Sequence, residues 1–420
     1  MTSAQSALRV VLDARMLSGV SGGVESLLVG LAEGISKLDD GPEEYLFLAH
    51  EGENEWLRPH LSGNSRELAI PRSATTIKRR LKARLPGLAS AWGRRPDFLQ
   101  PTSGPPTSDG TIEQACADVM HFTWQAGFLT NVPSIYHPHD LQHVHLPQFF
   151  TSTQLRWRER WYKTLADQAS LVAVASTWTK ADVEQHLHLP PEKVAVVPLA
   201  PPTAEYEVPS ETEAAETALR LKLPNDYILY PAQTWPHKNH IGLLEALADL
   251  RYRAGVVVPL VGSGHQNEFF PKIDRRAKEL RISDQVTWLG FVTQRDLQVL
   301  YRKARAVVIP SRFEAASGPL WEAFQAGVAA ACSNVTSLPE QAGNAALIFD
   351  PDDRDGIASA ILRLWNEPDL RQMLIDRGRE RVRPLTWDRT ARTFRAHYRR
   401  IGRRPLTEED HELLTSPPYL

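Results

Sequence analysis

The stretch AVVIPSRFEAASGPLWEAFQAGVAAACS, residues 306–333, decides the fold. AVVIPS is short, continuous and β-branched, which is the signature of a strand buried on both faces of a parallel sheet. It runs into a turn of small residues, Ala315 to Gly318, and Pro319 then stands where helices begin. The helical run closes at Gly327, and VAAACS starts the next strand. This is one strand–helix–strand unit, with Gly318 read as the helix cap. The amides of Gly318, Leu320 and Trp321 would face out of the helix start, where the dipole adds positive potential, a site sized for phosphate. Glu314 precedes the turn and Glu322 follows it by eight positions. Carboxylates repel phosphate but accept hydrogen bonds from hydroxyls, so sugar and ribose hydroxyls beside a pyrophosphate suit the pair. The plainer reading of Glu322 is a helix-dipole partner.

Outward from this unit the pattern repeats. Strands are expected at YILYPA, VVVPLVG, QVTWLG and ALIFD, with helices at IGLLEALADLRYRA and RDLQVLYRKA. Further towards the start, LRVVLDA, EYLFLA, DVMHFT, PSIYHP, SLVAVAS and VAVVPL read as strands, and Leu27, Leu28, Leu31 and Ile35 mark a helix. Strand–helix alternation through both halves means α/β, two doubly wound Rossmann-like domains whose ligands sit at the carboxyl ends of the strands. The boundaries read as 1–205, 206–385 and a closing helix and tail over 386–420 that packs on the first domain. PLAPPTAEYEVPSETEAAE, rich in proline and acid, reads as a linker near 199–218.

Composition narrows the class. At 420 residues two or three domains are expected. Lys+Arg 48 against Asp+Glu 50 leaves a net charge of -2, which argues against a nucleic-acid partner. Apolar runs such as VVVPLVG are far below the ~20 residues of a membrane span. Two distant cysteines, Cys116 and Cys332, fit a reducing cytoplasm, and no signal peptide is read at the start. One segment breaks neutrality: 72–95 carries eight Lys or Arg and no acid. It suits an anionic membrane surface or a phosphorylated acceptor, or is a solvated basic face.

Other candidate groups are fewer. In YPAQTWPHKNH (230–240), Lys238 lies between a strand and a helix whose cap is expected at Asn239, and it can neutralise a leaving pyrophosphate. HPHDLQHVH (137–145) crowds four histidines and Asp140 as a metal site would. Strand alternation followed by a loop separates them, so the reading is no metal. DPDDRD (350–355) has the D-x-D spacing of a metal clamp, but it reads better as helix initiation. Trp235 and Trp321 either stack on a base or sugar or pack in the core, and Trp387 is expected to pack.

In order, PAQTWPHKNHIGLLEAL, VPLVGSG, VTWLGFVTQRDLQVLYRKARAVVIPSRFE, the E-x7-E segment and SNVTSLPEQAGNAALIFDP resemble the nucleotide domain of the retaining GT-B glycosyltransferases of the GT4 family. LDARMLSGVSGGVESLLVGLA, HPHDLQHVHLPQFF and VAVASTWTKADVEQHL resemble its first domain. The resemblance implies that a nucleotide sugar, with GDP-mannose slightly favoured over a UDP-hexose, gives its glycosyl group to a hydroxyl of a glycan or lipid-linked acceptor. It implies no cofactor and no metal. Glu314 would contact the sugar hydroxyls and Glu322 the ribose. Lys238, with the backbone of Ser317, Gly318 and Leu320, would hold the diphosphate. Phe291 and Val292 would meet the base, Gly22 and Gly23 would let the first loop approach the phosphate, and His139 would lie over the sugar. Gln233 stands where the family usually has arginine, and Ala315, Ala316 and Ser317 replace its glycine-rich turn. These departures favour a non-catalytic nucleotide-sugar sensor or inactive partner subunit, which the retained Glu314, Glu322, Lys238 and His139 oppose. A dinucleotide oxidoreductase is the rival enzyme class, and SGVSGGVES, which lacks G-x-G-x-x-G, argues against it.

Overall fold

Among the described residues there are thirteen strands, most of them short apolar runs with buried faces, and every ladder between them is parallel. The computed structural model describes residues 7–16, 23–71, 104–202 and 208–417. Gly22 and the basic run 72–95 lie outside the described residues. In the first sheet, β1 (Arg9–Asp13), β2 (Glu44–His50), β3 (Ser65–Ile70), β4 (Val119–Phe122), β5 (Ser134–Tyr136), β6 (Leu171–Val174) and β7 (Val194–Val196) lie in the order β3-β2-β1-β4-β5-β6-β7. In the second, β8 (Ile228–Pro231), β9 (Leu260–Ser263), β10 (Val286–Trp288), β11 (Ala306–Ile309), β12 (Ala330–Ser333) and β13 (Ala346–Phe349) lie in the order β10-β9-β8-β11-β12-β13. Both orders reverse direction in the middle, at β1/β4 and at β8/β11. A reversal splays the following loops to opposite faces and opens a crevice at the carboxyl ends.

The chain divides into two compact units. One takes the residues up to Val174, with Lys180–Val197 and Trp387–Pro417; the other takes Ala175–Thr179 and Pro198–Thr386. Within the first unit, helix Trp387–Ile401 packs on helix Gly23–Ser36 so closely that glycine is required. A Cβ on Gly30 would meet the Trp387 ring at 2.0 Å, and one on Gly34 would meet the Trp387 carbonyl at 2.3 Å. Trp387 is accordingly a core residue. Arg399 on the same helix bonds Glu43 at 2.7 Å and Asp410 at 2.8 Å, all three buried or nearly so.

Three expectations need correction. The linker is shorter than its composition implies: Glu211–Arg220 is a helix. Ser210 accepts from the Glu213 amide at 3.3 Å and the Glu213 carboxylate accepts from the Ser210 amide at 2.8 Å, a capping box. Its acids face basic residues of helix Gln294–Lys303, Glu213 with Arg295 and Glu211 with Arg302. VVVPLVG yields a strand only from Leu260, because Pro259 has no N–H to give a ladder. SRELAI, polar at alternate positions, is the edge strand β3 and was not read as a strand from its sequence. Ser210→Ala removes one half of the capping box. It is expected to cost about 1 kcal/mol and lower the melting temperature by about 2–4 °C in calorimetry. An unchanged transition would mean that the arginine pairs alone hold this helix.

Candidate active site

Three loops at the carboxyl ends of the second sheet build the site. After β8, the chain passes through Gln233 and Trp235 into the single turn Pro236–Lys238. After β9 comes Gly264, at φ +127°, where a Cβ would meet the Ala232 carbonyl at 2.6 Å and the Gln233 nitrogen at 2.8 Å. Its amide donates to Gly290 O at 2.7 Å, so the β10 loop is drawn in as well. Only glycine permits this convergence. Phe291 follows, 72% exposed, and Val292 packs on the core.

After β11 stands Glu314. Its Oε1 accepts from Lys238 Nζ at 2.7 Å and from Ser311 Oγ at 2.6 Å. The Lys238 carbonyl in turn accepts from the buried Tyr230 hydroxyl at 2.6 Å. Lys238 and Glu314 follow β8 and β11, the two strands that flank the reversal. Ser337 Oγ donates to the Glu314 carbonyl at 2.8 Å, which fixes the turn behind it. An ammonium has three protons; one is used here, leaving two for other acceptors.

The helix after the turn runs Gly318–Ala326 and its cap is Ser317, not Gly318. The cause is backbone geometry, since Ser317 has extended dihedrals and Gly318 already has helical ones. Two of the expected anion-binding amides are engaged. The Ser317 amide donates to Gln341 Oε1 at 2.7 Å and the Trp321 amide reaches Ser317 O at 3.4 Å. Gly318 and Leu320 remain, ahead of the first helical hydrogen bond. Beside them the Ser317 hydroxyl is wholly buried and has no hydrogen-bond partner among the described residues. An orphaned donor at a helix start is costly unless an acceptor arrives.

Glu322 is buried and accepts from the Tyr301 hydroxyl at 2.6 Å. Burial pushes its carboxyl up to about 7, and the Tyr301 bond opposes that rise. It is therefore more than a dipole partner at an exposed helix start. Gln233 accepts from Trp235 Nε1 at 2.8 Å, and Trp321 is in the core. Asn239 stands at the cap position of helix His240–Arg253, yet its side chain does not cap. It sits at φ +56°, donates to Pro351 O at 2.8 Å and accepts from Arg312 at 2.6 Å. In DPDDRD, Asp353 caps helix Arg354–Asn366 by accepting from Gly356 N at 3.0 Å.

In the first unit, His139 follows β5 at φ +64°, and its Nε2 lies 2.8 Å from Thr123 O. A carbonyl only accepts, so Nε2 carries the proton and Nδ1 is free to accept. Burial holds this imidazole below its usual range, so it is neutral near pH 7. His137 stacks on it at 4.3 Å. Gly23 opens helix Gly23–Ser36, and a Cβ there would meet nothing within 4 Å. The histidine-rich run is dispersed: His143 packs edge-on to Tyr162, and His145 turns to Asp182. Sequence reading missed Ser311, Tyr230, Tyr301 and Gln341, all buried polar residues on elements chosen for their apolar neighbours.

Two doubly wound parallel sheets in one chain, each with its strand order reversing in the middle, are the architecture of the GT-B class. Similar solved structures bear this out. Anabaena HepE, in complex with UDP and glucose, superimposes with a TM-score of 0.68 at 16% identity, over 93% of this chain and 99% of that one. A glycosyltransferase from Rickettsia africae gives 0.67 at 13% identity, over 94% and 99%. Residues 211–381 match the family described as Glycosyl transferases group 1, and residues 21–204 match Glycosyltransferase Family 4. The chain belongs to the GT4-type glycosyltransferases. Among curated relatives, Escherichia coli O-antigen chain mannosyltransferase B is 29% identical, over 62% of this chain and 68% of the relative. The MMP alpha-(1->4)-mannosyltransferase of Mycolicibacterium hassiacum is 29% identical, over 56% of this chain and 57% of the relative. No helix among the described residues is long and apolar enough to cross a membrane.

Proposed function

We propose that this glycosyltransferase moves a mannosyl group from GDP-mannose to a hydroxyl of a glycan or lipid-linked acceptor, with retention at the anomeric carbon and without a metal. The observation that carries the reading is the Lys238–Glu314 pair at the reversal of the second sheet, next to the orphaned Ser317 hydroxyl. Lys238 has two protons left for diphosphate oxygens, and Ser317 Oγ with the Gly318 and Leu320 amides supplies neutral donors to the same anion. Glu314 accepts from the sugar hydroxyls and Glu322 from the ribose. The backbone at Phe291 and Val292 meets the base. His139, neutral and with Nδ1 open, serves the transferred sugar. The leaving phosphate oxygen takes the acceptor proton, so catalysis rests on positioning and on charge stabilisation of the leaving group. The preference for mannose rests on the names of the relatives. The basic run 72–95 suits an anionic membrane surface beside such an acceptor.

A thermal-shift panel of GDP, UDP, GDP-mannose and UDP-hexoses tests the donor. GDP-mannose is expected to raise the melting temperature, by about 5 °C at a hundredfold excess over its dissociation constant. Chelator is expected to leave the transfer rate unchanged. A shift with UDP-hexoses alone would overturn the mannosyl reading, and a rate abolished by chelator would overturn metal independence.

A further inference from the structure

Helix Thr177–Leu187 carries Asp182 and His186 four positions apart, hence on one face. His145, at the end of the short helix Gln142–His145, meets the same face. Its Nε2 lies 2.6 Å from Asp182 Oδ1, and His186 Nε2 lies 3.5 Å from that same oxygen. One ligand atom from each of the three residues falls within 4.8 Å of the others. The two imidazole rings stand 5.5 Å apart and nearly perpendicular, edge to face. Asp182 is only 6% exposed, and its Oδ2 has no hydrogen-bond partner among the described residues. A simple ion pair does not explain that oxygen, because burying half a carboxylate unsatisfied is costly. The rims are open: both histidines keep about a third of their side chains exposed, so an ion can enter.

We propose that His145, Asp182 and His186 bind one divalent transition-metal ion of the zinc type, with water in the fourth position. Two imidazoles and one carboxylate are a borderline donor set that favours zinc over magnesium or calcium, which want all-oxygen shells. Zinc takes such ligands at about 2.0–2.2 Å. The ion takes the place at His145 Nε2 that now faces Asp182, leaving the ring's one proton on Nδ1, and binding weakens at low pH because the ligands must be deprotonated. It ties the segment after β5, which also carries His139, to the helix after β6. The role is a structural clip within the first unit, and it takes no part in the transfer chemistry.

The test uses the full chain, free of any affinity tag and stripped of metal. Zinc titrated by calorimetry is expected to bind at one equivalent and to raise the melting temperature by about 5 °C at a hundredfold excess over the dissociation constant. Cobalt(II) is expected to give the visible bands of a four-coordinate site. His186→Gln and, separately, His145→Gln should lose both responses while keeping the metal-free melting temperature. Each side chain is about a third exposed, so neither variant threatens the fold. Absence of zinc uptake, or uptake unchanged in either variant, would overturn the proposal. Because the readouts are stoichiometry, spectrum and melting temperature, they stand apart from any failure of the donor assignment.

Discussion

Lys238→Ala is expected to lower kcat/KM for transfer by about 10³-fold while the protein remains folded. The loss follows from what the lysine does twice. Its ammonium bonds Glu314 at 2.7 Å, and in the proposed donor site its two remaining protons go to the diphosphate. Gln233, two residues past β8, is neutral and already holds Trp235, so it cannot substitute. The competing explanation is structural, since truncation leaves a buried carboxylate with only Ser311 as a side-chain donor. Breaking such a pair destabilises, whereas replacing both members by neutral groups is often tolerated. A cycle separates the two. Lys238→Met with Glu314→Gln should restore the melting temperature that Lys238→Met alone lowers, and should leave transfer as low as in the single variant. Recovery of transfer together with stability would mean that the pair only holds two loops together. Lys238→Arg is expected to be partly active, because charge is retained and point-like geometry is not.

Much of this site could be read from residues 306–333 and 230–240, because the signals there are local. A parallel strand, a turn of small residues and a proline at the helix start are written in adjacent positions, and Glu314 and Lys238 stand next to them. The partners that tune the site are not local. Tyr301 lies at the end of one helix and Glu322 in the first turns of another, 21 positions apart, and only packing brings them together. Ser311 and Tyr230 meet across the reversal of the second sheet, 81 positions apart, and no periodicity announces that. The misread segments fail for physical reasons of the same kind. Acidic residues at 211–216 look solvating until the arginines of another helix are placed opposite them. A strand as polar as SRELAI is stabilised by one ladder at a sheet edge, where a fully apolar run would be a hazard. His145 sits in a run with three other histidines, yet its partners Asp182 and His186 come from another helix.

Glu322 should give the enzyme its sharpest pH response. Burial raises its folded-state pKa to about 7 from an ordinary 4.5. Between those values the folded chain keeps a proton that the unfolded chain has lost. The stabilisation is complete below about pH 4.5, declines as pH rises towards 7, and is gone above it, a change on the order of 3 kcal/mol. With Glu322 in its proposed place at the ribose, donor binding runs the other way, since only the ionised carboxylate would accept from both ribose hydroxyls. Nucleotide affinity is therefore expected to rise about tenfold between pH 6 and pH 8 in direct binding measurements. Glu322→Gln keeps the shape and an acceptor for the Tyr301 hydroxyl but cannot ionise. It should flatten both dependences, gaining stability above pH 7 and losing donor affinity there. Glu322→Ala removes the acceptor altogether and should cost 10²-fold or more in kcat/KM, about two charge-assisted hydrogen bonds. Tyr301→Phe removes the bond that favours the ionised form and should move the inflection to higher pH. An affinity limb that survives unchanged in Glu322→Gln would assign the titration to another group and remove Glu322 from the donor site.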